Sequence, residues 1–337
     1  MNMALSVFAA HLLQNDLNSK GEKMKQGHIQ WLHTGRVGVV SLDIPVITFG
    51  GNKKPRIAIT SSVHGDEPLG LVVISRLVDY LDEQNLAGTV SLVLAANPAA
   101  QLLGQRVSPQ DFKDLNRAGA GNAKGYYTDR LAANLFEFLR NFDFVVNIHE
   151  FEMHTPVTAF YIGEGNSSTK QRILDGIEAF APEIVWVAKH TNKRDNQYLN
   201  TLDAALARAG VPSFIVETVQ LPFITEREIN HVVNGVIRLM ALLGIVTPKN
   251  RKAPNGKKLT LYRNEITTDV AGLWEPRKLS LFTPIKAGDV IGEIRTIPEF
   301  TVELITAPIS GTLIQLRHRQ LVGTGSSIFS IGTKAVF

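Results

Sequence analysis

The sequence contains no cysteine in its 337 residues. This absence excludes disulfide bonds, zinc sites with cysteine ligands and thiol catalysis, and it agrees with a reducing compartment. Uninterrupted apolar runs of about 18 residues, the length that a membrane span requires, are also missing. The sequence therefore predicts a cytoplasmic protein that does not cross a membrane.

A dense block of basic residues interleaved with aromatics is likewise missing, and the net charge is only +4. We therefore expect no nucleic-acid partner, whereas a small anionic substrate is compatible with this charge. The apolar start, residues 1–14, has no Lys or Arg before its hydrophobic part and carries His11 inside it. This pattern predicts an amphipathic helix packed on the domain surface rather than a signal peptide.

Short β-rich apolar runs alternate with helix-period stretches between residues 38 and 245. The alternation predicts an α/β fold, a mostly parallel mixed sheet flanked by helices, with ligands bound at the carboxyl ends of the strands. The predicted strands are residues 37–42, 57–62, 90–95, 144–148, 158–162, 185–188 and 213–216. The predicted helices are residues 69–81, 129–139, 169–180, 199–209 and 226–243.

A basic linker with Pro, Gly and Asn, residues 247–258, ends this alternation. We place a domain boundary there, with a first domain over residues 1–250 and an all-β domain over residues 251–337. The β domain resembles the small barrel-sandwich fold of lipoyl and biotinyl carriers. Its hairpin at residues 293–307 contains no lysine to carry such a group. A structural or access-shaping role is therefore predicted for it.

Two zinc-ligand types stand three positions apart where the run 57–62 ends, in His64-Gly65-Asp66-Glu67. A catalytic zinc site takes three protein ligands and leaves one position open. His149, which closes the run 144–148, is the candidate third ligand, because carboxyl ends of neighbouring strands meet at one edge of the sheet. Alone, the His-x-x-Glu spacing is weak and equally typical of a polar strand-to-helix loop.

Three further polar residues follow His149 in its loop. His154 is a rival third ligand, while Glu150 and Glu152 are candidates to orient His149 from behind. An ordinary solvated loop is the alternative interpretation of both acids.

Other polar residues at the same predicted edge favour hydrolysis. Asn116 and Arg117 offer amide and guanidinium donors that can grip a substrate carboxylate. Arg106 is a candidate to stand over the scissile carbonyl, and Glu217, closing the run 213–216, is placed as a general base. Each residue alone is also compatible with a surface loop or a strand end.

Together these residues resemble, in order along the chain, the succinylglutamate desuccinylase/aspartoacylase family of the zinc carboxypeptidase clan. The motifs are His64-Gly-Asp-Glu67, Asn97-Pro98, Asp114-Leu-Asn-Arg117, His149 and Glu217, over roughly residues 40–245. The resemblance implies one zinc ion per chain.

The resemblance also implies a role for each matching residue. His64, Glu67 and His149 would hold the zinc, and Arg106 would polarise the carbonyl. Asn116 and Arg117 would bind the substrate carboxylate, and Glu217 would act as base and then acid.

The implied activity is hydrolysis of the amide bond of an N-acyl amino acid. A carboxypeptidase that removes a C-terminal residue is the alternative, because the same Asn-Arg pair would grip a peptide terminus. A catalytically silent zinc-binding protein is a third hypothesis, against which the presence of Glu217 and Arg106 argues.

Two stretches depart from the family pattern, His149-Glu150-Phe151-Glu152 and Thr218-Val219-Gln220. Both leave the acyl group and the amino acid of the substrate open. The oligomeric state is also open, and a homo-oligomer is compatible with the sequence.

Overall fold

The computed structural model describes residues 21, 23–37, 39–191, 196–221, 223–247 and 258–335. The helix predicted at residues 1–14 lies outside these residues. Six helices, α1 to α6, are described: Leu69–Asp82, Pro98–Leu103, Tyr127–Leu139, Ser167–Phe180, Leu202–Arg208 and Glu226–Leu242. The strands from β1 to β10 are His28–Leu32, Arg36–Val37, Val40–Ser41, Ile44–Phe49, Arg56–Thr60, Thr89–Val93, Phe144–Phe151, Met153–His154, Thr158–Tyr161 and Ile184–Val187. The strands from β11 to β19 are Ser213–Val219, Leu259–Thr267, Gly272–Pro276, Pro284–Ile285, Val290–Thr296, Val302–Thr306, Gly311–Arg317, Gln320–Val322 and Ser327–Lys334.

A large mixed sheet organises the described residues, in the order β1-β4-β6-β5-β7-β11-β9-β10-β12-β19-β17-β14 with β8 paired to β17. Its centre is parallel, since β5 pairs in parallel with β6 and β7, and β11 with β7. Three carboxyl ends, those of β5, β7 and β11, therefore lie at the same edge. The predicted fold class is confirmed.

One edge of the sheet differs from the prediction. The described residues of the range 37–42 are not part of the large sheet, because β2 and β3 pair only with each other and Val40 is 56% exposed. The edge is instead formed by β1 and the fully buried β4, which pairs antiparallel with β6. The sequence did not reveal β4 because Pro45 interrupts its apolar run, and it did not reveal β1 because that strand contains the polar residues His28 and Gln30.

Helices cover both faces of the central sheet. On one face α1, α4 and α6 pack into a core that includes Leu77, Phe180 and Val236. On the other face α3 and α5 contribute Leu135 and Leu206 to a second core. Fully burying one such side chain stabilises the fold by about 1.5–3 kcal/mol, so the two cores hold the central strands rigidly.

The C-terminal strands do not form an isolated unit. β12 pairs in parallel with β10, and β19, β17 and β14 continue the large sheet beyond it. A second sheet, β16-β15-β13-β18, shares a core with them around Trp274 and Phe329. The domain boundary at residue 250 lies outside the described residues and stays a prediction.

In the described part of the chain, helices are too short or too polar to cross a membrane.

Candidate metal and active site

The loop after β5 is shaped by its contact with helix α2. Asn97 accepts a hydrogen bond from the backbone N–H of Ala100 and Pro98 occupies the first turn, so the Asn-Pro motif starts this helix. The helix lies so close to Gly65 that a Cβ there would come within 2.0 Å of the carbonyl carbon of Ala100. Glycine is therefore required next to His64, whose position depends on this close approach.

His64, Glu67 and His149 point their ligand atoms at one another in a buried cluster. His64 Nδ1 lies 2.6 Å from Glu67 Oε1, and His149 Nδ1 lies 2.7 Å from Glu67 Oε2. The two Nδ1 atoms are 3.2 Å apart. The three side chains are between 2% and 4% exposed. The structure thus brings the three predicted ligands together.

The donor set of this cluster fits a zinc ion. Two imidazole nitrogens and a carboxylate are ligands that zinc accepts, at about 2.0–2.2 Å each. Two nitrogens only 3.2 Å apart cannot both direct a hydrogen at each other, whereas both can direct a lone pair at a common cation. The role of the three residues as metal ligands stays a prediction that this geometry supports.

The rival ligand lies elsewhere. His154 is on β8 and its ring stacks on that of His318, with centroids 6.0 Å apart. It is exposed and is not a member of the buried cluster.

Asp114 contacts the ring nitrogen of His64 that faces away from the cluster. Its Oδ1 lies 3.0 Å from His64 Nε2, and its Oδ2 accepts a hydrogen bond of 3.0 Å from Arg106 Nη2. Burial alone would raise the pKa of Asp114, but the hydrogen bond and charge of His64 and the charge of Arg106 hold this pKa well below its usual range. The sequence motif contained Asp114, yet no role was predicted for it, because only the fold shows which side chain it meets.

The two acids after His149 do not orient that histidine in the structure. Glu150 accepts hydrogen bonds from the backbone N–H groups of Leu69 and Leu221, and thereby joins the start of α1 to the end of β11. Burial raises the pKa of Glu150 to about 8. Glu152 pairs with Arg317 of the C-terminal strands at 2.9 Å.

Arg106 stands at the rim of the cluster. Its Nη1 lies 3.3 Å from His64 Nδ1 and 3.4 Å from Glu67 Oε1, and its side chain is 47% exposed. A guanidinium that borders both the ligand atoms and solvent can donate to the carbonyl oxygen of an entering substrate.

The two residues predicted to bind a substrate carboxylate, Asn116 and Arg117, have different neighbours in the structure. Asn116 is 4% exposed, and its Nδ2 lies 3.5 Å from His149 Nε2. Arg117 donates to the carbonyl oxygen of Asn116, and its guanidinium carbon lies 5.3 Å from the ring centroid of Tyr198. Their binding of substrate stays a prediction.

Glu217 lies beside the cluster without a hydrogen bond at one oxygen. In the register of β11 and β7 it is directly opposite His149, and its Oε2 is buried with no partner among the described residues. Burial, together with the negative charge of Glu67, raises the pKa of Glu217 to about 8, although the charges of His149 and Arg106 oppose the shift. A carboxyl group with a pKa near neutrality can both accept and return a proton, as a general base and acid must.

The C-terminal strands add a cation on the same face of the sheet. Arg263 of β12 has a side chain only 6% exposed, and its guanidinium carbon lies 4.8 Å from the centroid of Trp186 and 5.0 Å from that of Phe151. Tyr198 packs edge-on against Trp186 at 5.3 Å. Tyr198, Trp186 and Arg263 thus form a wall of side chains that contact one another. The sequence did not predict this wall, since Arg263 is one polar residue among others in an alternating strand.

Comparisons with known proteins agree with this arrangement. Residues 53–243, more than half of the chain, match the sequence profile of the succinylglutamate desuccinylase/aspartoacylase catalytic domain. A stretch of 140 residues is 28% identical to the N-alpha-acetyl-L-2,4-diaminobutyric acid deacetylase of Halomonas elongata. That match covers 41% of this chain and 41% of the relative, which is less than two thirds of its length.

Solved structures share the fold over nearly the whole chain. A succinylglutamate desuccinylase/aspartoacylase from Rhodobacter sphaeroides has a TM-score of 0.77 at 19% identity, covering 92% of this chain and 97% of that one. The product-bound ectoine utilization protein EutE from Ruegeria pomeroyi has a TM-score of 0.78 at 19% identity, covering 91% and 94%. These likenesses include the C-terminal strands.

Proposed function

This chain belongs to the succinylglutamate desuccinylase/aspartoacylase family, and on that premise we propose that it is a zinc-dependent amidohydrolase. Its substrate is an N-acyl amino acid, which it cleaves to a carboxylic acid and a free amino acid. The family name and the name of the matched relative, a deacetylase, both describe the removal of an acyl group from an amine.

The observation that carries the proposal is the buried cluster of His64, Glu67 and His149 beside the unpartnered carboxyl group of Glu217. Zinc, when bound by these three residues, supplies a Lewis acid for the amide carbonyl and makes water a stronger acid. A protein that only stored zinc would need no buried acid with a free oxygen next to the ligands, because an unpaired buried polar atom costs about 1–3 kcal/mol.

Four side chains divide the remaining work. Glu217 takes a proton from the attacking water and returns it to the leaving amine. Arg106 donates to the carbonyl oxygen as negative charge develops there, a contribution of about 3–4 kcal/mol per donor in other hydrolases. Arg117 and Asn116 bind the α-carboxylate of the amino acid and set the amide bond against Glu217.

A small substrate is favoured over a peptide by the wall of Tyr198, Trp186 and Arg263 next to Glu217. The rings and the guanidinium contact one another, and the charge of Arg263 acts on Glu217.

The test is a substrate panel with the zinc-loaded full-length protein. The panel sets N-acetyl and N-succinyl amino acids, including N-alpha-acetyl-L-2,4-diaminobutyrate, against short peptides. Release of a free amino acid from an N-acyl amino acid supports the proposal. Cleavage of peptides alone would favour a carboxypeptidase, and a zinc-loaded protein that cleaves neither class would contradict amide hydrolysis.

A further inference from the structure

The turn at residues 114–117 faces both histidines of the cluster from behind. Asp114 Oδ1 lies 3.0 Å from Nε2 of His64. Two positions later, the side-chain nitrogen Nδ2 of Asn116 lies 3.5 Å from Nε2 of His149. The turn is a single 3-10 turn, Leu115–Arg117, which Asp114 stabilises by accepting the backbone N–H of Asn116 at 2.8 Å. One rigid piece of backbone thus presents one polar side chain to each histidine.

The two contacts differ in their hydrogen-bond chemistry. When a metal ion occupies Nδ1 of a neutral imidazole, the ring hydrogen is on Nε2, which must then donate. Asp114 is an acceptor and suits His64. The amide nitrogen of Asn116 is a donor, so with metal on Nδ1 of His149 two donors would meet.

A second observation on the same side chain resolves this conflict. Asn116 Oδ1 is buried and has no hydrogen-bond partner among the described residues. Rotating the planar amide by 180° exchanges Oδ1 and Nδ2 at almost no steric cost. After rotation Oδ1 accepts from His149 Nε2–H, and Nδ2 occupies the position where the protein provides no acceptor.

We propose that Asn116 is the positioning residue of His149, and that its amide turns over when the metal site fills. Its Oδ1 then fixes the metal-binding tautomer of His149, and its Nδ2 is released to donate to a substrate carboxylate oxygen. The inference rests on the proposed zinc site and extends the proposed function, because it couples the filling of that site to substrate recognition. Asparagine suits this position because its amide can match either tautomer of the histidine, which a carboxylate cannot.

Two substitutions of Asn116 distinguish the role of its side-chain oxygen from the role of its side-chain nitrogen. Asn116→Asp keeps an acceptor for His149 and removes the donor, whereas Asn116→Leu has a similar size and removes both. Arg117→Gln is the matched control, since Arg117 lies in the same turn and contacts Tyr198 rather than a histidine.

Zinc affinity of the purified full-length protein, measured by competition with a chromophoric chelator, is the primary readout. Loss of an outer hydrogen-bond partner of a metal-binding histidine typically weakens metal binding about 10–100-fold. We expect that loss for Asn116→Leu, and affinities within a few-fold of wild type for Asn116→Asp and Arg117→Gln. Wild-type affinity in a folded Asn116→Leu variant, or equal losses in the Asp and Leu variants, would overturn the proposal.

A spectroscopic measurement on the unsubstituted protein keeps the test independent of folding. Nitrogen-15 NMR of the zinc-loaded protein should show the Nε2–H of His149 as a slowly exchanging, hydrogen-bonded resonance. A Nε2–H that exchanges rapidly with solvent would contradict the hydrogen bond to Asn116.

Substrate kinetics test the second half of the proposal. With the best substrate of the panel, Asn116→Asp should raise KM at full zinc occupancy while the zinc affinity holds. An unchanged KM would remove Nδ2 from substrate binding. Because zinc affinity and the NMR signal need no substrate, a failed substrate panel leaves these results standing, whereas a wild-type protein that binds no zinc contradicts both proposals.

Discussion

Two buried polar clusters lie on the same face of the large sheet and differ in how their atoms are paired. In the candidate active site, Asn116 Oδ1 and Glu217 Oε2 are buried without partners. In the Arg263 cluster, which comprises Arg263, Glu265, Gln315 and Ser330, the described atoms are paired. Arg263 Nε donates to Gln315 and Ser330 at 2.6 and 3.1 Å, and its guanidinium pairs with Glu265 at 3.4 Å.

This difference indicates different roles: the candidate active site keeps polar atoms available for a ligand or a proton, whereas the Arg263 cluster stabilises the fold. Unpaired buried polar atoms destabilise a fold, so a native structure retains them mainly where a ligand or a proton will meet them. The Arg263 cluster continues through Gln315, whose amide donates to Thr155 at 3.0 Å, into the loop after β8. It therefore links the C-terminal strands to the loop after β8 through hydrogen bonds.

The largest expected effect comes from removing a proposed zinc ligand of the candidate active site. His64→Ala should lose the roughly one zinc ion per chain that the proposed site holds, and hydrolysis with it, because two ligands bind zinc far more weakly than three. Metal content by mass spectrometry checks this. His154→Ala is the matched control and should keep its zinc, and a full metal load in His64→Ala would disprove the ligand assignment.

Removal of the unpaired acid should separate activity from metal binding. Glu217→Gln is expected to keep zinc but to lower kcat by roughly 10²–10⁴-fold, since an amide cannot transfer the proton. The melting temperature should not fall, because the substitution removes a buried ionisable group. Steady-state kinetics and calorimetry measure both quantities, and near-normal turnover would rule out Glu217 as the base.

A substitution in the Arg263 cluster should have the opposite effect: it should lower the unfolding free energy and leave zinc binding unchanged. Arg263→Met leaves Glu265 without its guanidinium in a site where the two side chains are 6% and 15% exposed. Breaking a buried pair on one side costs about 3–5 kcal/mol of unfolding free energy. Urea denaturation gives this quantity, while zinc content should not change.

The control for that substitution is an exposed pair of the same type. Arg295 and Glu293 lie 3.3 Å apart with side chains 49% and 32% exposed, so Arg295→Met should cost only about 0–1 kcal/mol. Equal costs for the two arginines would show that the Arg263 cluster does not fasten the strands.

The smallest expected effect is a pH dependence beneath the site. Asp203 is buried and accepts hydrogen bonds from Ser213 and, at 3.1 Å, from Asn147. Burial raises the pKa of Asp203, and those hydrogen bonds oppose the shift. The folded state therefore holds this proton at a pH where the unfolded chain has released it.

The stability that this proton gives is complete below the unfolded pKa of about 4 and is lost as pH rises through the folded pKa. In Asp203→Asn this loss is absent, so the wild-type advantage in unfolding free energy should shrink as pH rises from 4 towards 8. Urea denaturation across that range measures it, with the exposed Asp175→Asn as control. A difference that does not vary with pH would contradict the raised pKa.

Strand-end residues were the part of the site that the sequence could predict. An apolar run that is followed by a histidine or a glutamate can be recognised in the sequence, as before His149 and Glu217, although β7 and β11 each continue two residues further. The partners that arrive from elsewhere could not be recognised in this way. Asp114 and Arg263 are ordinary polar residues in sequence, and only the packing of a turn and of β12 brings them to His64 and Trp186.

The fold shows the same division. Helix and strand alternation predicted the parallel centre, because each buried strand there is a continuous apolar run. The junction of β12 with β10 escaped prediction, since it depends on long-range pairing that leaves no local pattern. The antiparallel edge β1-β4 escaped prediction for a local reason, because polar residues and Pro45 interrupt its apolar runs. The role predicted for the C-terminal strands, structural or access-shaping, stays a prediction.

By itself, the sequence determined the chemical types at the site, namely two imidazoles, two carboxylates, an amide and two guanidiniums in the order of one enzyme family. The tertiary structure alone decided which of these atoms are paired and which are left free. The physical reason is that residue type fixes what a group can donate or accept, whereas burial and distance decide whether the protein itself satisfies it. Glu217 and Asn116 each place a buried oxygen without a hydrogen-bond partner beside the cluster of His64, Glu67 and His149.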